Sequence, residues 1–277
     1  MNQENGKSIV LKKIIKVQGS DVVAHTDTIA VEEPLQISIS LLHLDSPIIN
    51  KNISITMRTP GHDQELAIGF LFTEGIIQAS DQIKRVATEE NSINIQLIHS
   101  KNIDLGKLER NFYTSSSCGV CGKASIEAIR TVCSLPPPLT DFQVEKNLIK
   151  SFPGKLRQEQ NIFNHTGGIH AAALFNLQGE LLTMREDVGR HNALDKIIGH
   201  VVAQALFPLD KYLLFLSGRA SFELIQKAAM AGIRFIMAVG APSSLAVEMA
   251  LEQDITLIGF LNNTRYNIYT GTKRIKI

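Results

Sequence analysis

The sequence predicts an α/β protein with a small N-terminal α+β domain over residues 1–112 and a larger domain over residues 113–277. Three observations carry this reading. Apolar residues alternate with period two at Leu35, Ile37, Ile39 and Leu41 and again at Ile53, Ile55 and Met57, the pattern of half-buried strands. The run after Gly189 places Ala193, Ile197, Val201 and Ala205 beside Leu194, Ile198, Val202 and Leu206, two adjacent rows that define one buried helix face. Beyond it, short apolar blocks at Tyr212–Leu216, Ile233–Val239 and Ile255–Phe260 are separated by single helical runs at Phe222–Met230 and Ser244–Glu252, which implies right-handed crossovers and mainly parallel pairing.

Taken in order, residues 1–25 are expected to be poorly ordered, and residues 35–57 form a small antiparallel sheet. Thr59-Pro60 predicts a helix start, because proline at the first helical position loses no hydrogen bond; Leu66, Ala67, Phe70 and Leu71 supply the apolar stripe and Gly75 the stop. Ile93, Ile95 and Leu97 add a strand, and the polar stretch from Ser100 to Arg110 connects the two domains. Pro136-Pro137-Pro138 is an extended link to a helix near Val144–Phe152. Asn176-Leu-Gln-Gly179 turns a hairpin between Ala171–Phe175 and Leu181–Met184.

Composition excludes several classes. Hydrophobic residues make up 44% and charged residues 20%, ordinary for a globular chain, and 28 Lys plus Arg against 27 Asp plus Glu give a net charge of +1. No global field draws such a protein to nucleic acid or an anionic membrane, so an anion site must be local. No apolar run reaches the length of a membrane span, and the polar start leads into no signal-peptide block, so a cytoplasmic protein is expected. Three cysteines do not make a disulfide framework.

Cys118-Gly-Val-Cys121 places two thiols among glycines and hydroxyls, just before a helix-capable run from Lys123 to Ile129. A helix N-terminus favours the thiolate, the form that attacks sulfur or binds metal, and the glycines admit a bulky partner. A four-thiolate zinc site would need a second pair, and only Cys133 remains, placed among apolar neighbours. Asn164-His165-Thr-Gly167-Gly168-Ile-His170 pairs a glycine turn with two imidazoles, an arrangement suited to a site wall, although lone histidines are ordinarily satisfied surface or core groups. Arg185 to Asn192 packs charges into a strand-to-helix junction; a capping aspartate would explain Asp187 but not Arg190, His191 and Asn192. Ser217-Gly218-Arg219, Gly240-Ala-Pro-Ser243 and Phe260 to Arg265 fall at carboxyl ends of expected strands, where open parallel sheets bind ligands. Together they favour a phosphorylated or nucleotide-like ligand, bound by backbone N–H groups at Ser217 and Gly218 and by the Arg219 guanidinium.

These segments in this order closely resemble the formate dehydrogenase accessory sulfurtransferase family, FdhD. The resemblance rests on Cys118-Gly-Val-Cys121-Gly122, His165-Thr-Gly-Gly-Ile-His170, Glu186-Asp-Val-Gly-Arg-His191-Asn-Ala-Leu-Asp195-Lys196, Ser217-Gly-Arg-Ala-Ser221, Glu32-Glu-Pro-Leu35 and Arg58-Thr-Pro-Gly61, and it covers roughly residues 30–270. It implies a larger domain similar to cytidine deaminases, a three-layer fold with a mixed sheet. It also implies a cytoplasmic carrier that accepts persulfide sulfur from a cysteine desulfurase and delivers it to the molybdenum or tungsten bis(molybdopterin guanine dinucleotide) cofactor of formate dehydrogenase. By the same resemblance Cys118 carries the persulfide, Cys121 assists, and Phe260, Leu261, Asn262, Asn263, Thr264 and Arg265 bind the guanine dinucleotide. Ser217, Gly218, Arg219 and His191 complete the expected cofactor site, with no permanent metal, and a homodimer is expected.

Three other readings compete. A zinc nucleoside deaminase needs an H-x-E acid and base, and none of His62-Asp-Gln64, His165-Thr-Gly167 or His170-Ala-Ala172 supplies that glutamate. A thioredoxin-like oxidoreductase needs its C-x-x-C early in a βαβ unit, not mid-chain before a proline run. A bare cofactor chaperone would bind the dinucleotide and survive loss of Cys118.

Overall fold

The computed structural model describes residues 8–42, 49–98 and 142–276. Cys118, Cys121, Cys133 and the expected helix at Lys123–Ile129 lie outside these residues. The elements, in chain order, are β1 (Ile9–Gln18), β2 (Asp21–Ala30), β3 (Glu33–Leu42), β4 (Ile49–Arg58), α1 (Asp63–Thr73), β5 (Ile83–Glu89), β6 (Ser92–Ile98), β7 (Val144–Glu145), α2 (Lys146–Glu159) and α3 (Asn161–Thr166). They continue as β8 (His170–Phe175), β9 (Leu181–Asp187), α4 (Arg190–Ala203), β10 (Leu213–Leu216), α5 (Phe222–Met230), β11 (Phe235–Ala238), α6 (Ser244–Glu252), β12 (Thr256–Gly259), β13 (Asn267–Thr270) and β14 (Ile275–Lys276).

The α/β class is as the sequence predicts. Six strands in the order β13-β12-β11-β10-β8-β9 form the main sheet. The two crossover-linked pairs, β10 with β11 and β11 with β12, are parallel, while β8 and β13 join antiparallel. Period two along these strands sorts the side chains into two cores. Ala172, Leu174, Leu214, Leu216, Ile236, Ala238 and Leu257 face α4, α5 and α6, whereas Ala171, Ala173, Phe175, Leu213, Phe215, Phe235, Met237 and Ile258 face α2. The result is three layers. Phe152 of α2 meets Phe175 edge to face at 4.7 Å between ring centroids, anchoring α2 on its side of the sheet.

In the N-terminal sheet, of order β4-β3-β6-β5, β3 and β4 pair antiparallel as expected, and the sheet as a whole is mixed. The chain leaves β4, crosses through α1 and returns along β5, so that β6 arrives parallel to β3, with Ile37 opposite Ile93. Leu35, Ile37, Ile39 and Leu41 pack under α1 in the same core that holds α4 and α5. Residues 9–18 and 21–25 of the stretch expected to lack order, together with residues 26–30, pair as an antiparallel ribbon with Lys12 opposite Asp27, its Leu11, Ile15, Val17 and Val22 well exposed.

Helix α1 starts three residues later than the Thr59-Pro60 signal predicts. Thr59 is buried and committed elsewhere: its N–H donates to Asp187 Oδ2 at 3.2 Å, and its hydroxyl accepts from the Val188 N–H at 3.2 Å. His62, in a left-handed conformation with φ 58°, becomes the residue before the first turn. Gly75, at φ 72°, ends the helix as its sequence position suggests. Helix α4 likewise stops at Ala203, so the apolar rows lose their last members. Ala205 sits at φ 54°, and Leu206 is half exposed.

Candidate functional site

The carboxyl ends of β10, β11 and β12 and the amino end of antiparallel β8 share one edge of the main sheet. There a cavity of about 860 Å³ opens between that edge and the α2–α3 segment. Ser217, Val239 and the Leu261–Thr264 loop come from the strand ends, and Gly167, Gly168 and His170 from the turn into β8. Phe215, Ile169 and Leu156 supply apolar wall, and Arg157, Gln160 and Phe163 close the opposite side.

The geometry selects among the residues expected here. Ser217 and Leu261, Asn262, Asn263 and Thr264 line the cavity, as do the Gly167-Gly168 turn and His170. Phe260, Arg265, Arg219 and His191 are not among the lining residues. Gly218 lies under the His170 ring: a Cβ there would stand 3.2 Å from Nδ1, so a side chain at 218 would displace the imidazole. Arg219 packs its backbone and Cγ against Gly240, where a Cβ would come within 2.9 Å of them.

The backbone groups proposed for phosphate binding at Ser217 are already committed. Its N–H donates to the Ala171 carbonyl at 2.9 Å, and its Oγ accepts from the Ala171 N–H at 2.8 Å. Helix α5 does not start there; Ser221 precedes its first turn. The Ser217 hydroxyl proton is therefore what this residue can offer a ligand.

The 260–265 loop is braced from within. Asn262 Oδ1 accepts from the Thr264 N–H at 2.9 Å, the Thr264 hydroxyl at 2.8 Å and the Arg265 N–H at 3.0 Å. Buried Leu261 pins the loop into the core that faces α2, and Phe260 turns at φ 53°. This leaves the Asn262 amide N–H₂ and the Asn263 side chain as polar groups at the cavity rim.

His170 and His165 part company. His165 lies on α3, with Nδ1 2.6 Å from the Asn161 carbonyl, and is not a lining residue. His170 is half buried beside the cavity. Burial lowers its pKa below 6.5, and the positive charges of Arg190 and His191 add to that, while Asp187 opposes them. The imidazole is therefore neutral at pH 7. Because the unfolded chain takes up this proton at about 6.5 and the folded one only at lower pH, stability falls as pH drops below 6.5. An NMR titration of the His170 ring should give a midpoint below 6.5; one at or above that value would contradict the assigned environment.

The charged junction around residue 187 serves a different purpose from the one its composition suggests. Asp187 is fully buried, 2.7 Å from the Lys196 ammonium, and it also accepts from the Gly189 N–H and the Asn192 amide. Lys196 donates to the Thr59 carbonyl at 2.9 Å, and Asn192 to the Met57 carbonyl at 2.7 Å. The junction thus ties the Arg58-Thr59 segment to α4. Two more clamps lie along α1: Asp195 with Lys227 and Thr73, and Glu65 with Arg185 and His200. Burial opposes ionisation of Glu65, but hydrogen bonds from Arg185 and His62 outweigh it and hold the carboxyl far below its ordinary range. His191 braces α4 against α5, its Nε2 lying 2.9 Å from Glu223 Oε2 and 3.2 Å from Ser221 Oγ.

Residues 30–276 match the FdhD/NarQ family. The chain belongs to that family. Among its relatives, the sulfur carrier protein FdhD of Streptomyces avermitilis is 43% identical over 98% of this chain and 97% of its own, and that of Saccharolobus solfataricus is 41% identical over 95% and 96%. A solved structure described as a formate dehydrogenase accessory protein, from Desulfotalea psychrophila, superposes with a TM-score of 0.76 at 24% identity. It covers 97% of this chain and all of that one, so the fold is shared. Among the described residues of this family member, no helix is long and apolar enough to cross a membrane, and no group of three His, Cys, Asp or Glu is placed to hold a metal.

The α2–α3 wall is what sequence reading missed. Arg157, Gln160 and Phe163 lie in an amphipathic helical stretch whose pattern reports only that one face is buried. Nothing in that pattern shows which polar residues fold over a strand edge more than 50 positions away.

Proposed function

We propose that this protein is a sulfur carrier that receives persulfide sulfur on Cys118 from a cysteine desulfurase and passes it to the molybdenum or tungsten bis(molybdopterin guanine dinucleotide) cofactor destined for formate dehydrogenase. The observation that carries the reading is the cavity itself. It lies on the ligand-binding edge of the sheet, is walled by apolar side chains, hydroxyls, amides and a neutral imidazole, and has no carboxylate among the described residues that line it. An anionic nucleotide cargo suits such a lining. The names of the curated relatives support the sulfur role.

A single transfer of sulfur balances on the two cysteines, and the next cycle needs an outside dithiol as reductant. The Cys118 thiolate attacks the outer sulfur of the desulfurase persulfide; a new S–S bond forms, and the donor cysteine leaves as a thiolate. For release, the Cys121 thiolate attacks Cys118 Sγ, forming a Cys118–Cys121 disulfide. The outer sulfur departs as sulfide with the electron pair of the broken S–S bond. The two cysteines are oxidised as the transferred sulfur is reduced. The disulfide must then be reduced by a cellular dithiol before another cycle. The cofactor is cargo in this scheme, and the protein's task is to hold it beside the sulfur.

The test is mass spectrometry after incubation with an active cysteine desulfurase and free cysteine. One added sulfur atom is expected on the Cys118 peptide of the wild type, and none on that peptide in Cys118→Ala. Absence of added sulfur on wild type beside an active desulfurase would replace this reading with that of a cofactor chaperone that moves no sulfur.

A further inference from the structure

We propose that Arg157 is the residue that reads the phosphates of the cargo nucleotide, with the Phe163 ring as the shelf that holds its guanidinium in place. The inference deepens the function proposed above and rests on it. It also moves the anion-reading role from the strand-end arginines, Arg219 and Arg265, to a helix on the opposite wall.

Four observations lead there. Arg157 is the one Lys, Arg, Asp or Glu among the described residues that line the cavity, so the fixed charge in direct reach of a bound ligand is positive. Its guanidinium lies 4.3 Å above the centre of the Phe163 ring. A cation–π contact consumes no oxygen acceptor, so the guanidinium keeps its planar fork of N–H donors, which matches phosphate oxygens. Among the described residues no carboxylate pairs with it, so the fork is not already occupied by an acid. One turn along the same wall, the buried side chain of Gln160 has an Nε2 without a hydrogen-bond partner in the described structure, a second donor that an oxygen-rich ligand would satisfy after a small shift.

The shelf is held by design of the local fold. Glu186 accepts from the backbone N–H groups of Ile162 and Phe163, both at 2.9 Å, and so fixes the first turn of α3 and the ring that follows from it. Glu186 precedes Asp187 of the buried clamp, and the wall is therefore tied to the rigid centre of the molecule.

The experiment measures binding of three probes, GDP, guanosine and inorganic pyrophosphate, by calorimetry to the wild-type full chain and to Arg157→Ala and Arg157→Lys. Arg157 is exposed at the cavity mouth, so both variants should keep the wild-type melting profile. Arg157→Ala is expected to weaken GDP and pyrophosphate by roughly 10- to 100-fold, the size of one charge-assisted contact, and to leave guanosine unchanged. Arg157→Lys, which keeps the charge but loses the fork and the stack, should fall between. GDP binding to Arg157→Ala within about twofold of wild type, or an equal loss for guanosine, overturns the assignment of Arg157 while leaving the nucleotide cavity in place. A wild type that binds none of the three probes overturns both this inference and the cargo reading on which it rests.

Discussion

Gly199→Ala is expected to lower the unfolding free energy by about 3 kcal/mol, the upper end of ordinary overpacking costs. Helices α1 and α4 cross at Gly69 and Gly199. A Cβ on Gly199 would stand 1.8 Å from the Glu65 carbonyl oxygen and 2.7 Å from the Gly69 nitrogen, and one on Gly69 would stand 1.8 Å from the Asp195 carbonyl oxygen. The obstructing atoms are backbone, so no rotamer change makes room. The helices must part, and the Asp195–Lys227 and Glu65–Arg185 clamps that bridge the same interface would stretch with them. Gly154→Ala is the control: it lies in α2 with nothing within 4 Å of the added carbon and should be neutral or slightly stabilising. Chemical denaturation checks both. A Gly199→Ala cost no larger than that of Gly154→Ala would show that the helices do not cross this closely in solution.

Lys196→Met should cost about 3–5 kcal/mol, because it leaves the carboxylate of Asp187 buried without its counter-ion. Asp187 is 0% exposed and Lys196 1%, so water cannot replace the lost charge. The ammonium also serves the Thr59 carbonyl, and methionine fills the volume while supplying no donor. The double variant Lys196→Met with Asp187→Leu removes both charges and should recover part of the loss, since breaking a buried pair is dearer than deleting it. Urea unfolding of the two variants measures this. A loss below about 1 kcal/mol for Lys196→Met would mean that Asp187 is not held as a buried ion.

The clamps explain a mismatch between composition and role. Read along the chain, Arg185 to Lys196 is a cluster of charges and amides at a strand-to-helix junction, which suggests a ligand site. In the fold, Asp187, Asn192 and Lys196 point into the protein and join the Arg58-Thr59 segment to α4. Their partners are 128 to 137 residues distant, and spacing along a sequence contains no information about that.

Local pattern alone determined the elements whose information is local. Helices α5 and α6 occupy Phe222–Met230 and Ser244–Glu252, as their apolar spacing predicts, and the strands between them pair in parallel because a single helix can return the chain only in that sense. The strand-end placement of Ser217 and Leu261–Thr264 followed from the same logic. Tertiary structure alone decided which side chains face them across the cavity. Arg157 and Phe163 reach it because α2 packs through Phe152 and Leu156 on the sheet face that carries Phe175 and Phe215, and because Glu186 caps α3. Arg219 is turned against Gly240, and Thr59 is taken from its helix start by Asp187. Periodicity states that a face is buried. What it is buried against depends on contacts between residues far apart in sequence, and only the assembled sheet and helices bring those together.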